Sequence, residues 1–429
     1  MGWFADLHIH SRYARACSKN LTVWLIDEWA RKKGITLLGT GDFTHPYWFG
    51  DLKRDLTPAP EPGLFIRRGQ TMANDSPRFV LSAEISSIFN QGGRNRRIHT
   101  LVFMPDFNSV ESFNASLTRR GAKLASDGRP VVGISVKDIA KIALAANPEA
   151  LVIPAHAWTP WFGVFGSMSG FDSLEECFEE LTGQILAIET GHSSDPAMNW
   201  RVSALDAVAL ISCSDAHSVP KMSRELTEFD GELSYQGLRE AIRTGAPARA
   251  SERAKAPTRL VRTVEFFPEE GKYHLDGHRN CKIRWTPKER EANNGTCPVC
   301  RRPVTIGVMS RVEELADRPD GFKPAGAPDF VSVVPLQELI ADALGQKVGT
   351  KAVDLAYNYL IQTFGNELTV LLKTAPETIA SSGQPVIAQA VNDIRRGQLT
   401  IEPGYDGVFG TVHTSAANKG GMSSQASLF

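Results

Sequence analysis

The chain has 429 residues, 42% of them apolar and 22% charged, which is ordinary globular composition over a length that usually needs two or three domains. Its formal net charge of −1 excludes a whole-molecule basic signature and leaves any nucleic-acid contact to local patches. Six cysteines over this length argue against a disulfide framework; an N-terminus without a basic or apolar leader, and no apolar run of membrane-spanning length, point to a cytoplasmic protein with no membrane partner.

Up to about Gly245 the chain alternates β-type runs with amphipathic helical stretches. The β-type runs are TLLGTGDF, RFVLSAEIS, IHTLVFMP, ALVIPAHAW, QILAIETG and AVALISCSDAH, and the helical ones include LTVWLIDEWARKKG and SVKDIAKIALAAN. In SVKD, Ser135 with Asp138 marks a helix start. This alternation predicts an α/β fold with a parallel, barrel-like sheet. Residues 245–260 (GAPARASERAKAPTRL) read as a linker, followed by a Cys/His segment, helical patterns and a Gly/Ser-rich tail from about Pro403. The expected division is a catalytic barrel over 1–250, a zinc-binding module over 263–310, a helical domain over 311–402 and a flexible tail over 403–429.

Residues that bind metals stand at the ends of the predicted strands. His8 and His10 are two apart, so on a strand they share a face, and Asp215 with His217 repeats the spacing. Asp42, Glu84, His99 and His156 each fall at or near another strand terminus, and in a barrel such termini converge on one rim. A lone histidine at a strand end is usually structural; paired H-x-H and D-x-H with further His and Glu on other strands point instead to a multinuclear site. Imidazoles and carboxylates in this number suit two to three zinc, manganese or iron ions, with Glu84 able to bridge two of them. His45, Glu189 and His192 are further candidates, and His413 in the tail is expected to be solvated.

A second constellation lies downstream. His278 and Cys281 form one knuckle and Cys297 and Cys300 another, the pattern of one structural tetrahedral zinc, with His274 as the alternative fourth ligand. Around them Arg279, Lys282 and Arg284 contribute to a basic patch, and Trp285 is placed to stack on a base. Arg94, Arg96 and Arg97 on a Gly-rich turn before His99 would bring cations to the metals, and Trp158, Trp161, Phe162 and Phe165 on the loop after His156 would receive a flipped base.

The stretches ADLHIHSRY, GTGDFTHP, AHAWTPWFG and SDAHS resemble the PHP (polymerase and histidinol phosphatase) superfamily, and together with GKYHLDGHRNC, CPVC and VEELADRP the chain is similar to the endonuclease Q family over residues 1 to about 410. The resemblance implies a distorted (β/α)7 barrel with up to three metal ions, and cleavage of DNA 5′ to deaminated bases (uracil, hypoxanthine, xanthine) or abasic sites, leaving 3′-hydroxyl and 5′-phosphate. Glu84, Asp215 and His217 then take the catalytic role, with an activated water attacking phosphorus. Superfamily members usually read TDH where this chain has GDF; Phe43 cannot bind metal, which brings His45 forward as a substitute ligand. The alternative function is a phosphoesterase acting on a small phosphorylated metabolite, which leaves the zinc segment, basic patch and tail without a role.

The last residues, QASLF, resemble the pentapeptide by which bacterial repair and replication proteins dock on the sliding clamp. Gln425 would hydrogen-bond, and Leu428 and Phe429 would fill an apolar pocket. That resemblance implies a bacterial form of the enzyme.

Overall fold

A computed structural model describes residues 2–71, 73 and 76–415, so Gln425, Leu428 and Phe429 lie outside the described residues. At its centre is an 11-stranded mixed sheet. Gly2–Asp6 pairs in parallel with Leu37–Gly39, which pairs in parallel with the start of Arg78–Gln91. On its other side Gly2–Asp6 pairs antiparallel with Leu226–Gly231, and that strand with Thr258–Glu265.

Two features depart from the expected parallel set. Arg78–Gln91 and Arg94–Met104 form one long antiparallel hairpin, and Leu151–Pro154 adds to it antiparallel. The hairpin closes through Gly92 and Gly93 at φ +60° and +72°, a primed turn that only residues tolerating positive φ adopt at low cost. Ala187–Glu189 and Ala209–Ile211 form a separate parallel pair, and among the described residues hydrogen bonding does not run round a closed ring. The pair nonetheless shares a core with the main sheet: Ala187 and Ile211 pack with Leu7, Val80, Leu101 and Ile153.

Helices form where amphipathic spacing and capping agree. Val23–Lys33 starts behind Thr22, whose hydroxyl accepts from the Leu25 amide, and Val136–Ala146 starts behind Ser135, which accepts from Asp138 at 3.1 Å, as its capping sequence predicts. Helices Leu336–Ala343, Lys351–Phe364 and Pro385–Arg395 enclose a core of their own around Leu339, Ile340, Tyr357, Ile387 and Val391.

Three expected boundaries are corrected. The predicted linker contains Ala250–Arg253 as a helical turn, and Thr258–Leu260 already belongs to the strand Thr258–Glu265. The predicted helical region contributes Asp329–Ser332 to the main sheet as an edge strand. The predicted tail begins too early, because Leu399–Glu402 pairs with Thr411–Thr414; there His413 is half-exposed with Nδ1 2.8 Å from Asp342. No helix among the described residues is long and apolar enough to cross a membrane.

Candidate metal centre and adjoining cavity

The residues after the first strand alternate apolar and imidazole side chains: Leu7 and Ile9 are buried in cores, and His8 and His10 face the ends of neighbouring strands. A parallel bridge between Ile9 and Ala216 brings the D-x-H segment alongside, so Asp215 Oδ1 lies 3.1 Å from His10 Nε2 and 3.5 Å from His8 Nε2. Glu84 projects from the long hairpin. One of its oxygens meets His99 Nδ1 at 2.7 Å and His156 Nε2 at 3.1 Å, and the other lies 3.3 Å from His10 and 3.5 Å from His8.

Two groups of potential ligands result, His8, His10, Glu84 and Asp215 in one and Glu84, His99 and His156 in the other, with Glu84 common to both. Divalent ions fit this arrangement. Glu189 accepts from His8 Nδ1 at 3.0 Å and Asp42 from His10 Nδ1 at 2.9 Å, which turns each Nε2 toward the centre. His8 Nε2 is buried there without a hydrogen-bond partner, facing carboxylate oxygens, where a cation would satisfy all of them.

The field inside the cluster is strong. Burial opposes charge on His8 and His10, yet Glu189, Asp215 and Glu84 around the first, and Asp42 and Asp215 around the second, raise both well above the ordinary imidazole range. Burial would likewise raise Glu84, but His99, Arg129 and His8 hold its carboxyl well below the usual value. Burial lowers His99 to about 4, so its ring is neutral. Uptake of a metal at His8 and His10 would therefore release protons.

The structure separates the predicted ligands into layers. Asp42 and Glu189 stand behind the histidines: Asp42 also accepts from the Ser11 amide at 2.6 Å, and Glu189 from the His156 amide at 2.7 Å. His217 packs edge-on against His10 at 4.7 Å and lies outside both groups. His45 is not brought to the centre, because its ring stacks on Tyr13 at 4.6 Å. Phe43 is core, set against Phe113. Sequence reasoning missed Arg129, whose guanidinium reaches Glu84 at 3.0 Å from a loop with no motif to announce it.

Downstream, His278, Cys281, Cys297 and Cys300 converge, with potential ligand atoms all within 4.8 Å of one another, a set suited to tetrahedral zinc. His274 is outside that set, and burial lowers its pKa to about 4.

A cavity of about 640 Å³ adjoins the metal-ligand groups. His99, His156, Asp215 and His217 line it together with the aromatic Trp161, Phe162, Tyr273 and Phe409 and with Arg224, Lys272 and His192. Trp161 meets Tyr273 edge-on at 5.4 Å and Phe162 lies 4.3 Å from the His99 ring. Lys272 and Tyr273 stand in the family-like stretch GKYHLDGHRNC, which did not place them here, and Phe409 carried no sequence signal.

A protein-family model described as the MJ0043 C-terminal domain matches residues 335–398. The Methanocaldococcus jannaschii protein MJ0043 is 30% identical over 265 residues, 60% of this chain, which spans 31% of that protein's length. The structure of the lesion-specific endonuclease PfuEndoQ from Pyrococcus furiosus superposes with a TM-score of 0.83 at 31% identity, covering 96% of each chain. The chain belongs to the endonuclease Q family. A structure of endonuclease Q with a 27-mer duplex carrying an abasic lesion at its active site also matches at a TM-score of 0.83 and 30% identity, over 96% of this chain and 97% of that one.

In this chain the expected DNA-contacting residues divide by burial. Arg94 and Arg97 are exposed, on a strand rather than on the turn, as are Arg279, Lys282 and Arg284 around the candidate Cys/His metal ligands. Arg96 is corrected: 7% exposed, it lies 4.0 Å over the Phe171 ring and donates to the Gly170 carbonyl. Alternation along the strand turns it inward between exposed Asn95 and Arg97. Trp158 is corrected as well, since at 1% exposure its indole donates to Asn199 at 2.8 Å and packs on Phe165. Trp161 is the tryptophan of that loop that reaches the cavity.

Proposed function

We propose that this protein is a metal-dependent DNA repair endonuclease that hydrolyses the phosphodiester 5′ to a deaminated base or an abasic site. The observation that carries the reading is the cavity itself, which opens directly on His99, His156 and Asp215 and is walled by aromatic rings and two cations. An enzyme cutting beside a particular nucleotide must take it out of the stack, and Trp161, Phe162 and Tyr273 offer faces to hold it. The solved relatives, a lesion-specific endonuclease and a complex with an abasic duplex, support the same substrate class.

Zinc, manganese or iron ions held by His8, His10, Glu84, Asp215, His99 and His156 would supply positive charge against the phosphodiester oxygens and acidify water. The chain's own residues do the rest. Asp42 and Glu189 fix the orientation of His10 and His8. Glu84, Asp215 and His217 form the catalytic group, Arg224 and Lys272 draw the phosphate inward, and Arg94, Arg97, Arg279, Lys282 and Arg284 track the flanking duplex. A catalytic unit over 1–250, a zinc module over 263–310, a C-terminal domain that leaves the edge strand Asp329–Ser332 to the main sheet and runs through the strand Thr411–Thr414, and a tail after it belong to the same proposal, as does a cytoplasmic site of action.

Labelled duplexes carrying one uracil, hypoxanthine or abasic site, beside an undamaged duplex and p-nitrophenyl phosphate, test the reading. The expected product is a nick immediately 5′ to the lesion, with 3′-hydroxyl and 5′-phosphate ends. Hydrolysis of the small ester without nicking would assign the site to a metabolite phosphoesterase.

Clamp docking through Gln425, Leu428 and Phe429 rests on the sequence QASLF. Two apolar anchors support an affinity on the order of micromolar. Deleting 425–429 should leave oligonucleotide nicking intact and abolish retention on an immobilised bacterial sliding clamp; equal retention of both proteins would remove the motif from the proposal.

A further inference from the structure

His192 is left unexplained by the metal centre. It follows the strand Ala187–Glu189 and its ring lines the cavity, but it belongs to neither ligand group. Its Nε2 is buried without a hydrogen-bond partner and points at Glu225 Oε2, 3.8 Å away, which is itself buried and unpartnered. That distance is beyond a hydrogen bond, so the two groups face each other without being joined. The Phe266 ring meets the imidazole edge-on at 5.8 Å and holds its orientation.

The groups behind the ring decide its proton. Glu225 accepts from the Phe266 amide at 3.2 Å, and its near neighbour Glu265 accepts from Thr190 at 3.0 Å and Ser212 at 2.9 Å. Burial, then the adjacent Glu265, pushes Glu225 well above the carboxylate range, so it carries a hydrogen and can donate. Burial, then Arg224, pushes His192 well below the imidazole range, so the ring is neutral. A neutral imidazole whose Nε2 faces a donor carries its hydrogen on Nδ1.

We propose that His192 is a specificity-determining residue of the cavity, donating from Nδ1 to the carbonyl oxygen that deamination leaves on a base. The inference rests on the lesion-nuclease reading above. Deamination replaces an exocyclic amino group, a donor, by a carbonyl, an acceptor: adenine becomes hypoxanthine and cytosine becomes uracil. A fixed donor accepts the product and opposes the parent base, whereas an abasic site offers it nothing to bind.

The test is the ratio of kcat/KM for nicking a hypoxanthine duplex over an abasic duplex, measured for full-length wild type, His192→Leu and His192→Gln. The ratio should fall about ten-fold in His192→Leu, the scale of one neutral hydrogen bond, and recover to within about three-fold in His192→Gln, whose amide restores a donor. With wild type active on both duplexes, an unchanged ratio overturns the inference, including the case where both activities fall together. Wild type inactive on both overturns the lesion-nuclease reading and the inference with it.

Discussion

Glu84→Gln should abolish cleavage while circular dichroism stays native. Glu84 is the one residue common to both groups of potential ligands, and it lies within 3.5 Å of four imidazoles and one guanidinium. The amide preserves shape but removes the negative charge that lets one side chain serve two cations. Partners that act through a ligand typically change affinity or activity by about 10–100-fold, and loss of one transition-state stabiliser by about 10²–10³-fold. Glu84→Gln should exceed both, with kcat reduced by at least about 10³-fold and bound metal lowered. Asp42→Asn should cost less, within about 10–100-fold, because Asp42 acts through His10. Near-normal nicking and metal content in Glu84→Gln would show that the two groups do not function as one centre.

Lys33→Met should destabilise the protein by about 3–5 kcal/mol, the usual consequence of removing one partner from a buried ion pair. Lys33 is fully buried at the end of the helix Val23–Lys33, with its ammonium 2.7 Å from Glu367 Oε2, itself 1% exposed. Glu367 also accepts from the Leu336 amide at 3.1 Å and the Tyr357 hydroxyl at 3.0 Å, so one carboxylate ties the first helix to the C-terminal helices. Without Lys33 its charge stays in the core uncompensated. Glu367→Gln added to Lys33→Met should recover part of the loss, since the amide oxygen still accepts while no charge is stranded. Urea denaturation of wild type, single and double variants measures this. If the double variant were less stable than Lys33→Met, the Glu367 charge would not be what Lys33 compensates, and the ion pair would not be the source of the stability.

Much of the metal centre was legible because its ligands come in short-range patterns. H-x-H and D-x-H declare a shared face through the two-residue period of a strand, and paired knuckles declare zinc through local spacing alone. The hairpin that carries Glu84 and His99 departs from the parallel set that strand–helix alternation predicts; the two glycines between its β-type runs, a primed-turn signal, are the local feature that decides it. Its register sets Ser86 opposite His99 and so puts Glu84 diagonal to that histidine, on the same face.

Chain-local chemistry therefore determined which residue types gather, on which strand faces, and the likeness to the endonuclease Q family. Tertiary structure alone decided which of them point into the centre and which stand behind it. Asp42 and Glu189 are acidic residues at strand ends like any ligand, yet each is turned toward a histidine Nδ1 by amides from another part of the chain. Arg96 and Trp158 carry the chemistry of DNA contacts, but hydrogen bonds to Gly170 and Asn199 take them into the core. Arg129 and Phe409 reach the site from segments without any motif, and Lys272 and Tyr273 from a stretch whose sequence does not place them there. The physical reason is that burial and hydrogen-bond partners are supplied by residues far away in sequence, so a side chain's role depends on which neighbours the fold brings to it.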